Sequence, residues 1–167
     1  MSPQATEESL RAGWYHTGDL LRRGEGNDLW FISRKKDIII RGGTNISPVE
    51  VEQALVASHP AVEQAAVGIP DAVLGQRVFG FVKLADGTKD TVLSDILRNV
   101  AARLASYKVP EGLRIVDELP RNALSKVDRN MLQTMAAGTD RAGQIRGVLS
   151  LPKQPDERPA RRVAWSR

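Results

Sequence analysis

The stretch Ser33-Arg34-Lys35-Lys36-Asp37-Ile38-Ile39-Ile40-Arg41-Gly42-Gly43-Thr44-Asn45-Ile46-Ser47-Pro48-Val49-Glu50-Val51-Glu52 holds a run of cations, a β-branched run, a glycine pair and a helix start in unbroken order. Asp37-Ile38-Ile39-Ile40-Arg41 and the preceding Leu29-Trp30-Phe31-Ile32-Ser33 read as two strands of a small hairpin-like unit. The cations stand at the mouth of a strand. The glycine pair marks a place where another backbone or a thin ligand must approach closely. Ser47 is expected to cap a helix that begins at Pro48, with Glu50 reaching back to the cap amide. Val51, Ala54 and Leu55 fall on one face of that helix, and His59-Pro60 ends it.

Working outward, residues 62–69 and 77–84 read as two further strands, separated by Pro70-Asp71 and Gly75, with Asp86-Gly87 marking another turn. Leu93, Ile96, Leu97, Val100, Ala101 and Leu104 keep helical spacing, which predicts an amphipathic helix over about 91–106 that stops before Pro110. Residues 113–116 read as a short strand and 127–135 as a last short helix. No internal repeat is visible. Strands interleaved with modest helices describe an α+β domain: a small compact sheet with packed helices, preceded by the hairpin-like unit.

A chain of 167 residues, 41% hydrophobic and 26% charged, fits one ordinary domain with flexible ends. The absence of cysteine excludes disulfides and thiolate metal sites, and His16 and His59 are too few and too far apart for a zinc site, so no metal is expected. Apolar runs fall far short of the ~20 residues of a membrane span. The polar, acidic opening does not read as a signal peptide, and a cytoplasmic setting is expected. The net charge of +4 is uneven, with Arg141, Arg146, Lys153, Arg158, Arg161, Arg162 and Arg167 gathered among prolines. That composition reads as a disordered, dispensable basic tail over 138–167 rather than a nucleic-acid arm.

Two more strings could carry chemistry. Gly13-Trp14-Tyr15-His16-Thr17-Gly18-Asp19 is a glycine-flanked turn ending in an aspartate able to meet paired hydroxyls such as those of ribose; on its own an aspartate after glycine is more often a plain turn residue. Leu119-Pro120-Arg121-Asn122-Ala123-Leu124-Ser125-Lys126-Val127-Asp128-Arg129, preceded by Leu104-Ala105-Ser106-Tyr107-Lys108-Val109-Pro110, sets a lysine on a turn, from which it can reach a phosphate or carboxylate as a point charge. Alone it is a surface lysine.

In this order the three strings resemble the core motifs of the adenylate-forming superfamily: AMP-forming acyl- and aryl-CoA synthetases, peptide-synthetase adenylation domains and beetle luciferase. The resemblance covers about residues 12–136. It implies that 1–33 are the end of a large amino-terminal domain and 34–137 the AMP-binding enzyme carboxy-terminal domain. It implies that Asp19 binds the ribose hydroxyls of ATP with help from Arg34, and that Lys36 is the hinge about which the small domain rotates. Gly42 and Gly43 would line the pantetheine tunnel, and Lys126 would bridge the substrate carboxylate and the α-phosphate in adenylation. The sequence departs from the family at Ser125, where glycine usually precedes the lysine. If that glycine serves close approach, serine is tolerated; if it serves positive φ, placement of Lys126 is impaired.

The resemblance further implies ATP with Mg2+ and CoA as co-substrates of a complete enzyme, none tightly bound by this chain, and a carboxylic acid whose identity is not legible here. The implied partner is an amino-terminal adenylation domain, without which the chain is expected to be inactive. No serine/threonine/glycine-rich phosphate loop precedes Gly13, and no Walker-type loop occurs. Three readings stay open: the lid domain of an acyl-CoA ligase, a non-catalytic module that docks on a full-length relative, and part of a peptide-synthetase adenylation domain. The strings at 107–110 and 119–123 look more like those of stand-alone CoA ligases.

Overall fold

The computed structural model describes residues 6–7, 9–59, 61–85, 88, 92–137 and 145–150. Two small antiparallel ribbons come first: β1 (Leu10–Arg11) with β2 (Trp14–Tyr15), then β3 (Asp19–Arg23) with β4 (Leu29–Arg34). A sheet of six strands comes next, built from β5 (Ile39–Arg41), β6 (Thr44–Ile46), β7 (Ala61–Asp71), β8 (Gly75–Leu84), β9 (Gly112–Val116) and β10 (Ile145–Ser150). Its helices are α1 (Pro48–Ser58), α2 (Leu93–Ala101) and α3 (Arg129–Ala136). The small α+β domain expected from the sequence is the architecture observed.

β8 is the centre. It pairs antiparallel with β7 along its whole length, parallel with β9 between Phe79–Val82 and Gly112–Ile115, and meets β5 at Arg41↔Gly75. The parallel step from β8 to β9 runs through α2, the crossover that parallel neighbours require. Because β8 is covered on both faces, its apolar residues run continuously rather than alternating. Val78 and Val82 face a core shared with Val51, Leu55, Ile96 and Leu97 of α1 and α2. Phe79 and Phe81 face the opposite core, closed by Leu132 and Met135 of α3. Gly80 lies between these packing positions, and a Cβ there would collide with Leu113 Cδ2, so the Leu113 side chain fills the space that a side chain at Gly80 would take.

Several local expectations change. β4 does not form a hairpin with β5; it folds back on β3, with Phe31 opposite Leu21 and Trp30 opposite Arg22. β5 pairs instead with β6 across Gly42 and Gly43, whose φ of 54 and 79 make the two-residue loop that suits strand twist. The glycine pair supplies positive φ, and no other part of this chain crowds it: a Cβ on Gly43 would meet nothing within 4 Å. The capping box at α1 is also replaced. The Ser47 hydroxyl donates to the Ile32 carbonyl at 2.8 Å, while Glu50 accepts from Lys108 Nζ at 2.6 Å. A strand carbonyl beside the nearly buried Ser47 needs a donor, and the hydroxyl is engaged there.

The helix expected over 91–106 ends at Ala101, since the Arg103 and Leu104 amides both turn back to the Val100 carbonyl at 3.0 Å and tighten the chain. A 3-10 turn, Ser106–Lys108, completes the approach to Pro110. Finally, the tail expected to be disordered contributes β10, which pairs antiparallel with β9, Val148 opposite Arg114 and Leu149 opposite Leu113. A strand edge left open by β9 offers unpaired backbone groups, and β10 satisfies them despite a sequence with little periodic signal. The remainder of that expectation, 138–144 and 151–167, lies outside the described residues.

Candidate functional site

At the open end of the β3–β4 ribbon the register sets Asp19 directly opposite Arg34. Arg34 Nε lies 2.8 Å from Asp19 Oδ1, and half of the Arg34 side chain remains exposed. The end is shaped by Gly18 at φ 74, whose carbonyl accepts from the Lys35 amide at 2.7 Å, and by the Thr17 hydroxyl, which accepts from the Asp19 amide at 3.1 Å. Gly18 supplies the left-handed turn, and the two strands bring an aspartate and an arginine 15 positions apart into one charged pair.

Immediately beyond Arg34 the chain makes the 3-10 turn Lys35–Asp37, which presents Lys36 to solvent and joins the ribbon to the main sheet. Asp37 turns inward, with its Oδ2 3.6 Å from Arg129 Nε. The Gly42–Gly43 loop rests on the β7–β8 turn: the Gly42 amide donates to the Leu74 carbonyl at 2.8 Å. That turn is itself built on Asp71, whose Oδ1 accepts from the Val73 and Leu74 amides, each at 2.9 Å. Arg41 and Arg77 converge on Glu111 beside the loop, at 2.8 and 3.5 Å, so the glycine tip projects from a braced base.

Lys126 is exposed on the loop between β9 and α3. Asn122 organises this loop: its Oδ1 accepts from the Leu124 amide at 2.9 Å and from the Lys126 amide at 3.1 Å, while its own amide donates to the Lys126 carbonyl at 2.8 Å. Arg121 donates to the Ser125 carbonyl at 2.7 Å and also grips Glu63 of β7. Nearby, the Glu118 side-chain hydrogen bond holds the Lys83 ammonium above the ordinary lysine range, and the same bond holds the Glu118 carboxyl below the ordinary carboxylate range. Past the lysine, Asp128 caps α3, its carboxylate accepting from the Asn130 and Met131 amides.

The structure thus joins Asp19 to Arg34, and joins the turn bearing Lys36 to the loop bearing Lys126 through Asp37 and Arg129. Gly42 and Gly43 stand on a separate support, and among the described residues no hydrogen bond or ion pair links Lys126 to the Asp19–Arg34 pair. Sequence reasoning missed Asn122, Arg121 and Arg129. An asparagine just after Pro120-Arg121 is a turn-forming signal and could have identified Asn122. Arg129 and Asp37 are 92 positions apart, and nothing local pairs them.

Comparison with known proteins bears on this arrangement. Residues 50–126 match the model of the AMP-binding enzyme C-terminal domain, and this part of the chain belongs to that family. The 2-succinylbenzoate--CoA ligase of Geobacillus sp. (strain WCH70) is 42% identical over 134 residues, which cover 80% of this chain and 27% of the ligase. Among solved structures, ATP-bound MatB from Rhodopseudomonas palustris matches with a TM-score of 0.70 at 33% identity, covering 80% of this chain and 26% of MatB. The o-succinylbenzoate CoA synthetase of Bacillus subtilis, in complex with its acyl-adenylate intermediate, matches with a TM-score of 0.68 at 36% identity, over 79% of this chain and 27% of the synthetase. The chain spans about a quarter of the length of the relatives it matches. No helix among the described residues is long and apolar enough to cross a membrane.

Proposed function

We propose that this chain acts as the mobile lid domain of an AMP-forming acyl-CoA ligase, completing the active site of a large amino-terminal adenylation domain. The observation that carries the reading is the Lys126 loop: an exposed ammonium on a turn whose backbone is held by Asn122 and Arg121, within a domain of the AMP-binding enzyme family. In adenylation a carboxylate oxygen attacks the α-phosphorus of ATP, the bond to the bridging oxygen breaks, and pyrophosphate leaves. Two anions meet in that step, and Lys126 would neutralise charge between the carboxylate and the α-phosphate without giving up its proton. In the second step the CoA sulfur displaces AMP from the acyl carbonyl.

The remaining residues take complementary parts in this proposal. Asp19 accepts from the ribose hydroxyls, with Arg34 fixing its carboxylate and contacting the same sugar. Lys36 is the hinge between the two half-reactions, supported by its exposure on the short turn between ribbon and sheet. Gly42 and Gly43 form a slim, braced tip suited to the pantetheine path. The described residues contain no cluster of three His, Asp or Glu able to hold a metal ion, so Mg2+ in this reading arrives with the triphosphate and is held by the large domain. A cytoplasmic setting belongs to the same proposal.

The test is a fusion of this chain to the large domain of a related ligase. Lys126→Ala should slow acyl-adenylate formation by about a hundredfold or more, a cost of about 3 kcal/mol. Thioester formation from supplied acyl-adenylate should change far less. Equal losses in both half-reactions would remove Lys126 from the adenylation step.

A further inference from the structure

We infer that Arg129 is a positioning residue that locks the turn bearing Lys36 and the loop bearing Lys126 onto one rigid body. The roles of those two lysines rest on the function proposed above; the lock itself rests on geometry. Arg129 opens α3, three positions after Lys126. Its Nη1 donates to Glu52 Oε1 of α1 at 2.8 Å and to the Ala66 carbonyl of β7 at 2.7 Å. Its Nε faces Asp37 Oδ2 at 3.6 Å. Glu52 Oε1 also accepts from the Ala66 amide at 2.9 Å, so the carboxylate and the guanidinium together close on the same β7 residue.

Four separate pieces of the chain therefore meet at one guanidinium: the turn after the ribbon, α1, β7 and the start of α3. The side chains of Arg129, Asp37 and Glu52 are only 26%, 23% and 17% exposed, so water screens this junction less than it screens an ordinary surface pair. A planar guanidinium offers donors in several fixed directions at once, which a single ammonium does not. Arg121 anchors the other end of the Lys126 loop to the same strand through Glu63 of β7. Both ends of the lysine loop are thus moored to β7, and Arg129 alone of the two anchors also reaches the hinge turn.

The lock also shapes movement. Asp37 is held to the domain body, so bending between ribbon and sheet is confined to the residues before it, and any rotation there carries Lys126 through a defined arc. Misplacement of a reacting group by about 1 Å costs on the order of a hundredfold in rate, so a soft joint between hinge and lysine would be felt directly in adenylation.

Amide hydrogen exchange on the 167-residue chain tests the lock without requiring catalysis. Arg129→Met should accelerate exchange in the Lys35–Asp37 turn and in residues 122–126 together, by about tenfold or more, while amides in the middle of β8 keep their protection. Arg129→Lys should give a smaller acceleration, and Asp37→Asn should loosen the turn in a chain that keeps the Glu52 and Ala66 contacts. An unchanged turn in Arg129→Met and in Asp37→Asn would overturn the inference. If Arg129→Met does not fold, Asp37→Asn and Arg129→Lys decide alone.

In the fused enzyme, Arg129→Met should lower kcat for adenylation by roughly tenfold to a hundredfold with the KM for ATP little altered. If Lys126→Ala cripples adenylation while Arg129→Met leaves it intact, the lock fails and the proposed function stands. If Lys126→Ala has no effect while exchange at both segments responds to Arg129→Met, the proposed function fails and the lock remains as a property of the fold.

Discussion

Ser125 sits at φ 58, a left-handed conformation that costs an L-residue about 1–2 kcal/mol. The position where the resemblance implies a glycine therefore adopts positive φ in this chain. The cost is met locally, because the Ser125 amide donates to the Asn122 carbonyl at 2.9 Å and its own carbonyl is held by Arg121 at 2.7 Å. Ser125→Gly should consequently raise stability by up to about 1 kcal/mol, since relief of strain exceeds the roughly 0.4–1 kcal/mol of added freedom in the unfolded chain. Ser125→Val, with a branched Cβ forced into the same φ, should cost about 1–3 kcal/mol in urea unfolding. A valine variant as stable as the parent would show that the loop does not need its left-handed turn. The strings that hold the proposed site residues stand out in the sequence because each is contiguous. The side chains that support them were not, because Arg129 with Asp37 and Arg121 with Glu63 meet only after the sheet has formed.

Elements were legible in proportion to how locally their partners lie. α1 begins at Pro48 and β7 and β8 fall where the apolar runs set them, since Pro48, the β-branched residues and the intervening turn each act within a few positions. Strand partners were less legible: β4 chose β3 over β5, and the decisive signal was a glycine pair whose positive φ turns β5 back onto β6. β10 was the least legible element, because its pairing depends on an edge that β9 exposes far upstream. Removing residues 138–167 should therefore lower the thermal midpoint by about 3–8 °C, the equivalent of roughly 1–2 kcal/mol, rather than leave it unchanged as composition alone suggests. Exchange should also quicken at alternate amides of β9, those that face β10 rather than β8. An unaltered midpoint with fully protected β9 amides would show that β10 adds nothing to the sheet.

At the scale of the whole molecule, apolar surface is divided unevenly. The sheet hides both buried clusters, Phe79 and Phe81 within one of them, whereas the leading ribbons leave Leu21, Leu29 and Phe31 at least half exposed. On the β3–β4 ribbon, Leu21 and Phe31 stand opposite one another, and Arg23 stands opposite Leu29. The proposed large domain would cover this ribbon, and the indoles make that testable. Trp14 and Trp30 are 75% and 57% exposed, and neither belongs to either buried cluster. Tryptophan emission from a Trp165→Phe chain should start at a water-like wavelength and change little when the sheet unfolds. Mixing in the large domain of a related ligase should move it to the blue, and no movement under conditions where the two bind would place the ribbon outside the contact. In the Trp165→Phe chain the indole light would thus come from the proposed docking side, which would make it an optical gauge of assembly and a poor one of its own melting.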